Sequence, residues 1–332
     1  MSGRPSRRQF IAAATGAAAS AILVGGANAS PSPTEYFKLS VITDEITQDL
    51  ARALEIASHE FGLRYVELRG LWKKNIIALD AKEIAEVRGL LDRFQLQVTD
   101  VASPLFKTDF PGAPKSSFSP PKPQYGADFS FNQQDEVWER AVAVARSLGT
   151  NRIRCFDFWR LKDQKPYRAA MNEALRKAAI RAQKENIVLL LENEFECNTA
   201  TGAEAVQTLD EVQSPNFFLN WDPGNAAYAG EIAFPDGYSG LPKNRIGHMH
   251  CKDVIRKPDG SFAWAAMGSG IIDYVSQFRA LMKDGYRGTM SLETHWNGAS
   301  SPEESTRQSM RGMKEQLQKA GAVSLEMEKK ST

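Results

Sequence analysis

Cysteine and histidine are scarce in this sequence, which has 3 cysteines and 4 histidines in 332 residues. An odd number of cysteines is a poor disulfide framework, so we expect Cys155, Cys197 and Cys251 to be small buried residues. A Cys155–Cys197 bridge between neighbouring strands stays open as an alternative. With 42% hydrophobic residues, the chain is long enough to build one large core instead.

An excess of charge of one sign is also absent, because 41 Lys and Arg residues balance 40 Asp and Glu residues. A net charge of +1 gives no field that would attract nucleic acid or an anionic membrane, so we exclude both as partners. No glycine-rich loop follows the first predicted strand. That absence argues against a phosphate-cradling site and against a doubly wound sheet, the main alternative fold.

The first 29 residues differ from the rest and are typical of a twin-arginine signal peptide. Arg7-Arg8 precedes a short apolar run, Ala12 to Val24, and Ala27-Asn28-Ala29 offers a cleavage site. We therefore expect a periplasmic or secreted protein with no stable membrane span after cleavage. A disordered alanine-rich tail is the alternative interpretation. After the signal peptide, we predict a linker over residues 30–36, a barrel over 37–323 and a polar tail over 324–332.

Apolar runs of strand length alternate with longer segments of helical periodicity through the rest of the chain. Near-continuous apolar runs are typical of strands buried on both faces. The eight predicted strands are Lys38–Thr43, Tyr65–Leu68, Gln97–Val101, Arg152–Phe156, Ile187–Leu191, Phe217–Trp221, Ile246–Cys251 and Thr289–Leu292. Eight strands separated by helices predict an α/β fold, a single (β/α)8 TIM barrel. Long connections after the third and seventh strands, 103–133 and 253–270, are expected to cover the site as lids.

Four successive strands end in a side chain that can bind a metal, namely Glu192, Asp222, His250 and Glu293. A closed barrel brings its strand ends to one rim, so these four side chains would converge there. Three carboxylates and one imidazole suit one divalent cation, with Mn²⁺ favoured and Mg²⁺, Co²⁺ or Zn²⁺ also compatible. The alternative is that each residue belongs to a local salt bridge.

Earlier strand ends supply candidates for contacts to a substrate. Glu67 lies at the end of the second strand and Arg154 lies in the fourth, where both could reach hydroxyl groups, and Trp159 could stack on a sugar ring. Core packing or ion pairing is the alternative for each. His248 is expected one layer below His250, since alternate strand residues share a face.

The runs around the four strand ends resemble the sugar-phosphate isomerase/epimerase superfamily of xylose isomerase-like barrels. The resemblance rests on Leu191-Glu192-Asn193, Trp221 to Asn225, His248 to Asp253 and Leu292-Glu293, and it covers roughly Phe37 to Gly321. It implies the same four metal ligands, with Glu192 and Glu293 also exchanging protons with the substrate. It further implies that Arg256 and the position of Asn225 contact the substrate.

Two departures from the ketose epimerases leave the reaction open. Asn225 stands where those enzymes carry histidine, and Asn198 stands where they carry glutamate. We expect an isomerase or epimerase that acts on a small carbohydrate, as a monomer or homo-oligomer. A metal-dependent lyase or hydrolase of a keto-sugar or glycoside is the alternative, as is a sugar-binding barrel without catalysis.

Overall fold

Eight parallel strands form a nearly closed barrel in the computed structural model, which describes residues 36–119 and 129–322. The strands are β1 (Lys38–Val41), β2 (Tyr65–Leu68), β3 (Gln97–Leu105), β4 (Arg152–Cys155), β5 (Val188–Glu192), β6 (Phe217–Trp221), β7 (Ile246–Cys251) and β8 (Thr289–Leu292). Neighbours in the sheet follow the order β1-β8-β7-β6-β5-β4-β3-β2. A parallel bridge between Ile42 and Glu67 joins the two outer strands. The predicted TIM barrel is therefore confirmed.

Burial on both faces explains why the strands are apolar without alternation. In β5, Leu189, Leu190 and Leu191 are all buried, and β8 is buried throughout. The parallel register then places equivalent ends side by side, as Cys155 lies beside Leu191 and Ser291 beside His250. Residues just after these positions consequently meet at the carboxyl-terminal rim.

Helices fill the connections between the strands. They are α1 (Leu50–Glu55), α2 (Ala81–Phe94), α3 (Gln134–Ser147), α4 (Arg168–Lys184), α5 (Gly202–Glu211), α6 (Pro223–Tyr228), α7 (Tyr274–Lys283) and α8 (Pro302–Ala320). Local caps fix several of them: Asp80 and Glu83 form a capping box at the start of α2. The last helix, α8, ends at Gly321, whose left-handed backbone terminates the helix.

The long connection after β7 is an antiparallel hairpin, Asp253–Arg256 paired with Phe262–Ala265. Asp253 anchors it, since Oδ1 accepts from Val254 N and Oδ2 accepts from Gly268 N and Gly270 N at 2.9–3.0 Å. The long connection after β3 includes residues 120–128, outside the described part of the chain. The predicted lids thus contain at least one ordered element, which places residues next to the rim.

Other expectations concern single residues or the chain ends. Cys155, Cys197 and Cys251 are all free and buried, as the favoured interpretation held. Among the described residues, no helix has the length and apolarity that a membrane crossing needs. The predicted signal, nearly all of the predicted linker and the C-terminal tail lie outside the described residues.

Replacing Asp253 with asparagine should destabilise the fold. Either orientation of the new amide turns an NH2 group towards backbone N–H donors, so a buried hydrogen-bond acceptor is lost at a cost of about 1–3 kcal/mol in unfolding free energy. Urea denaturation measures this change. Asp259→Asn, an exposed position in the turn of the same hairpin, is the matched control and should leave the midpoint unchanged. An unaltered midpoint for Asp253→Asn would show that the anchor is dispensable.

Candidate functional site

The structure brings the four predicted metal-binding side chains together at the rim. Glu192 is the last residue of β5, Asp222 follows β6, His250 lies in β7 and Glu293 follows β8. Each offers a ligand atom, and these atoms all lie within 4.8 Å of one another. All four side chains are buried. The four side chains therefore converge into one compact cluster, as their positions at the strand ends predicted.

His250 stands at the centre of this cluster. Its Nδ1 lies 3.2 Å from Glu192 Oε1, 3.2 Å from Glu293 Oε2 and 3.6 Å from Asp222 Oδ2. The opposite ring nitrogen, Nε2, lies 3.1 Å from Glu67 Oε1. The Nδ1 edge of the imidazole is thus directed towards three carboxylates that would share a cation.

Lys252 adds a buried positive charge to the same carboxylates. Its Nζ lies 2.8 Å from Asp222 Oδ2 and 2.5 Å from Glu293 Oε2. Gly224 permits this packing, because a Cβ there would come within 2.4 Å of Lys252 Cγ. The sequence reasoning passed over Lys252, although it lies between His250 and Asp253 in the run that carried the resemblance.

The electrostatics of the cluster call for positive charge. Burial alone would raise the pKa of Glu192, but His250 and Arg154 outweigh it and bring that pKa to about 2. Burial likewise opposes ionisation of Glu293, yet Lys252 and other cations hold its pKa well below the usual range. For His250, burial is outweighed by the carboxylates around it, which raise its pKa well above the usual value. Ionised carboxylates packed this closely are stabilised by cations.

The donor set fits a divalent ion. Asp222 Oδ1 caps α6 by accepting from Asn225 N at 2.8 Å, which leaves Oδ2 facing His250 Nδ1 and the Lys252 ammonium. Asn193 Oδ1 accepts from Asp222 N at 2.7 Å and so fixes the strand end. Three carboxylates and an imidazole nitrogen are ligands that Mn²⁺, Mg²⁺ and Zn²⁺ all accept.

A cavity of about 1290 Å³ opens beside the cluster. Arg154 and Trp159 line it, as the sequence predicted for substrate contacts, and Glu293 is the metal-ligand candidate on its wall. Its other charged and aromatic lining residues are Asp44, Glu45, Arg69, Lys107, Phe156, Glu194, Phe195, Glu196, Trp264, His295 and Glu303. A molecule in the cavity could therefore reach the cluster at the Glu293 carboxylate.

Three predicted substrate contacts do not reach this cavity. Arg256 is exposed on the hairpin, where it pairs with Phe262, because the strand pair carries it outwards. Asn225 is buried and donates to Glu192 Oε1 at 3.2 Å, so it holds a ligand instead. Glu67 is buried under His250. The structure therefore places none of these three residues in the cavity wall, where a predicted substrate contact would have to lie.

His295 lies in the cavity wall, in the loop that follows β8. A left-handed backbone turns it inwards, with φ at 48°. Its Nδ1 lies 2.9 Å from Glu45 Oε1, and its Nε2 lies 3.6 Å from Glu293 Oε1. Arg69 also pairs with Asp44, Glu45 and Glu293. A charged network thus fixes Glu293 from the cavity side.

Aromatic rings and one lysine form another part of the wall. Lys107 Nζ lies 4.7 Å from the Phe156 ring centre and 5.2 Å from that of Trp159, and it pairs with Glu194 at 3.2 Å. Trp264 of the hairpin reaches the cavity as well. Sequence reasoning did not single out Lys107 or Trp264, because each lies inside a long connection without a periodic pattern. Asp44 and Glu45 were also missed, although they come just after β1, as strand-end carboxylates do elsewhere.

A family model described as xylose isomerase-like TIM barrel matches residues 56–316. A protein of Escherichia coli (strain K12), provisionally named L-ribulose-5-phosphate 3-epimerase SgbU, is 26% identical over 209 residues, which cover 59% of this chain and 72% of that protein. The L-ribulose 3-epimerase of Methylomonas sp. (strain DH-1) is 32% identical over 116 residues, 33% of this chain and 35% of the relative.

The fold also resembles solved structures. The crystal structure of a protein named IOLI, which has a bound zinc atom, superposes with a TM-score of 0.64 at 15% identity. The match covers 87% of this chain and 100% of that one. Such a low identity supports the barrel fold alone.

Lys252→Met should destabilise the metal-free protein strongly. Removing one partner of a buried charge set typically costs about 3–5 kcal/mol of unfolding free energy. The melting temperature in the presence of a chelator should therefore fall, and adding Mn²⁺ should raise it more than in the wild type. Lys74→Met, which removes a surface ion pair with Glu83, is the control and should melt like the wild type. Equal melting of Lys252→Met and wild type in chelator would contradict the role of this ammonium.

Proposed function

Because the chain belongs to the xylose isomerase-like TIM barrel family, we propose that it is a metal-dependent isomerase or epimerase of an unphosphorylated sugar or sugar derivative. The observation that carries the proposal is the convergence of three buried carboxylates on Nδ1 of His250, beside the cavity that Glu293 lines. The two named epimerases among the relatives support this reaction class.

The metal would be held by Glu192, Asp222, His250 and Glu293. A divalent ion bound there supplies a Lewis acid that polarises an oxygen of the sugar and makes the neighbouring C–H more acidic. Oxygen-rich ligand sets of this kind favour Mn²⁺ or Mg²⁺, and Mn²⁺ is our first choice. The protein's own task is then to move the proton.

Glu293 is proposed to take the proton from the substrate. It lines the cavity, and Lys252, Arg69 and His295 surround its carboxylate. These cations keep Glu293 ionised, so it can act as a general base, and they also limit its rotation. Removal of a proton next to a sugar carbonyl is the first step of both isomerisation and epimerisation.

Glu192 is proposed to handle the second proton transfer. It lies within the same 4.8 Å cluster but is screened from the cavity, with its Oε2 3.0 Å from Arg154 NH1. Arg154 itself lines the cavity, so movement of this arginine onto a sugar hydroxyl would open a path to Glu192. Two carboxylates that reach one carbon from different strands can return a proton to the opposite face.

The charges around the cavity favour a neutral sugar over a sugar phosphate. Its lining contains six carboxylates, from Asp44, Glu45, Glu194, Glu196, Glu293 and Glu303. The three permanent cations in the lining, Arg69, Lys107 and Arg154, are each already paired with a carboxylate. A phosphate would have to compete with these pairs and would be repelled by the excess of acid.

A lyase is the second candidate, and one observation favours it. Among the described lining residues, Glu293 is the sole member of the metal cluster, so only one carboxylate of that cluster faces the substrate. Elimination of a substituent from the β carbon needs proton removal but no return of that proton to carbon. Product analysis separates the two reactions, since an epimerase keeps every substituent of the sugar.

We also propose export through the twin-arginine route, on the strength of Arg7-Arg8 and the apolar run that follows. Replacing both arginines with lysine should leave the precursor in the cytoplasm, because the receptor reads the arginine pair. Immunoblots of cell fractions measure this. Replacement of Lys329-Lys330 in the tail by Arg is the control and should not alter export. Normal export of the double lysine variant would disprove the proposal.

Replacing Glu293 or Glu192 with glutamine should slow exchange of solvent deuterium into the sugar. Loss of a general base typically costs about 10²–10⁴-fold in rate. L-Ribulose, the sugar in the name of the Methylomonas relative, and its 5-phosphate serve as probes, and we expect faster exchange with the free sugar. Metal content must be measured for each variant, because loss of a ligand also lowers the rate.

Glu303→Gln is the matched control, because Glu303 lines the cavity outside the metal cluster. This variant should exchange solvent deuterium into the sugar at close to the wild-type rate. Wild-type exchange by metal-loaded Glu293→Gln and Glu192→Gln would refute the assigned proton transfers. Release of a substituent by the wild type would establish the lyase instead.

A further inference from the structure

Glu67 is a buried carboxylate that the proposed reaction leaves without a task. It lies in β2 and is completely buried, and it is not part of the cavity wall. Its backbone forms the bridge to Ile42 that joins β1 and β2. A charge buried inside a barrel is costly unless it is paired and hydrogen-bonded, so its contacts indicate why it is there.

Two histidines share the Glu67 carboxylate. Oε1 lies 3.1 Å from His250 Nε2, and Oε2 lies 3.0 Å from His248 Nε2. An ionised carboxylate only accepts hydrogen bonds, so both Nε2 atoms donate to it. For His250, this leaves Nδ1 facing Glu192, Asp222 and Glu293.

Asn220 is consistent with the same hydrogen position on His250. Its carboxamide nitrogen lies 3.0 Å from Nε2, while its Oδ1 has no hydrogen-bond partner among the described residues. Turning the carboxamide about its last torsion would present Oδ1 to the Nε2–H group and satisfy both. In that orientation Nε2 faces two acceptors, from Glu67 and Asn220, and Nδ1 is left for a metal.

We propose that Glu67 is a positioning residue that orients His250 for metal binding, an inference that rests on the proposed metal site. The hydrogen bond to Nε2 fixes the ring rotation, and the negative charge behind the ring strengthens Nδ1 as a ligand. Glu67 acts through His250 and does not touch the substrate. Its place under the metal cluster, and not a contact with sugar hydroxyls, explains a glutamate at the end of β2.

His248 supports Glu67 from below. Its Nε2 also lies 3.1 Å from Ser291 Oγ, and its Nδ1 is hydrogen-bonded to Thr289. Two neighbouring strands, β7 and β8, thus hold this imidazole and, through it, the carboxylate of Glu67. The Asp100 carboxylate lies 3.7 Å from His248 Nε2 and forms no hydrogen bond to a described residue, so it makes none to His250.

The test is Mn²⁺ binding by Glu67→Gln, measured by calorimetric titration of the metal-free full chain. Glutamine keeps the size but loses the charge and one acceptor, so we expect the Kd to rise about 10–100-fold, as for other partners of metal-bound histidine. Glu67→Asp, which keeps the charge but withdraws it from Nε2, should show a similar loss and replaces Glu67→Gln if that variant does not fold. The absorption spectrum of bound Co²⁺ should change in both.

Asp100→Asn is the matched control, because it removes another completely buried carboxylate from the same interior without contact to His250. It should bind Mn²⁺ with the wild-type Kd and give the wild-type Co²⁺ spectrum. A wild-type Kd for folded Glu67→Gln would overturn the inference and leave the proposed function intact.

Two further outcomes would also overturn the inference. Binding of two ions per wild-type chain, with one lost in Glu67→Gln, would make Glu67 a ligand of a second ion. Absence of any Mn²⁺ or Zn²⁺ binding by the wild type would remove the proposed function together with this inference.

Discussion

The rest of this structure depends on how it stabilises three buried carboxylates around one imidazole nitrogen. Glu192, Asp222 and Glu293 each have a carboxylate oxygen within 3.6 Å of His250 Nδ1, and all three residues are buried. Their ligand oxygens lie within 4.8 Å of one another, and buried like charges packed this closely destabilise a fold unless cations compensate them. Lys252, Arg154 and Arg69 supply positive charge from within the chain, and the proposed divalent ion would add to it.

The barrel meets this requirement through its register and through the residues next to the rim. Parallel strands bring four distant segments to one edge, while Asn193 and Asn225 fix the backbone and side chains at the ends of β5 and β6. Glu67 and His248 hold His250 from the interior. On the cavity side, Arg69 and His295 contact Glu293. The site is thus built in layers from the core outwards to the cavity.

The sequence was sufficient for the barrel and for the four clustered side chains, because both follow from where apolar runs end. It was insufficient for residues whose position depends on loop geometry. Arg256 lies six residues beyond His250 in a hairpin that turns it outwards, and a left-handed backbone turns His295 inwards. Glu67 was correctly placed at a strand end, but only the register shows that it lies below His250. Lys107 and Trp264 have no local pattern that distinguishes them from surface residues.

Anomalous diffraction from crystals grown with Mn²⁺ tests the central claim most directly. We expect one strong peak per chain on the Nδ1 side of His250, within bonding distance of Glu192, Asp222 and Glu293. Such a peak would place the cation in the proposed metal site. The absence of a peak there, with the Lys252 ammonium alone between the carboxylates, would contradict the account, and so would a peak on the Nε2 side beside Glu67.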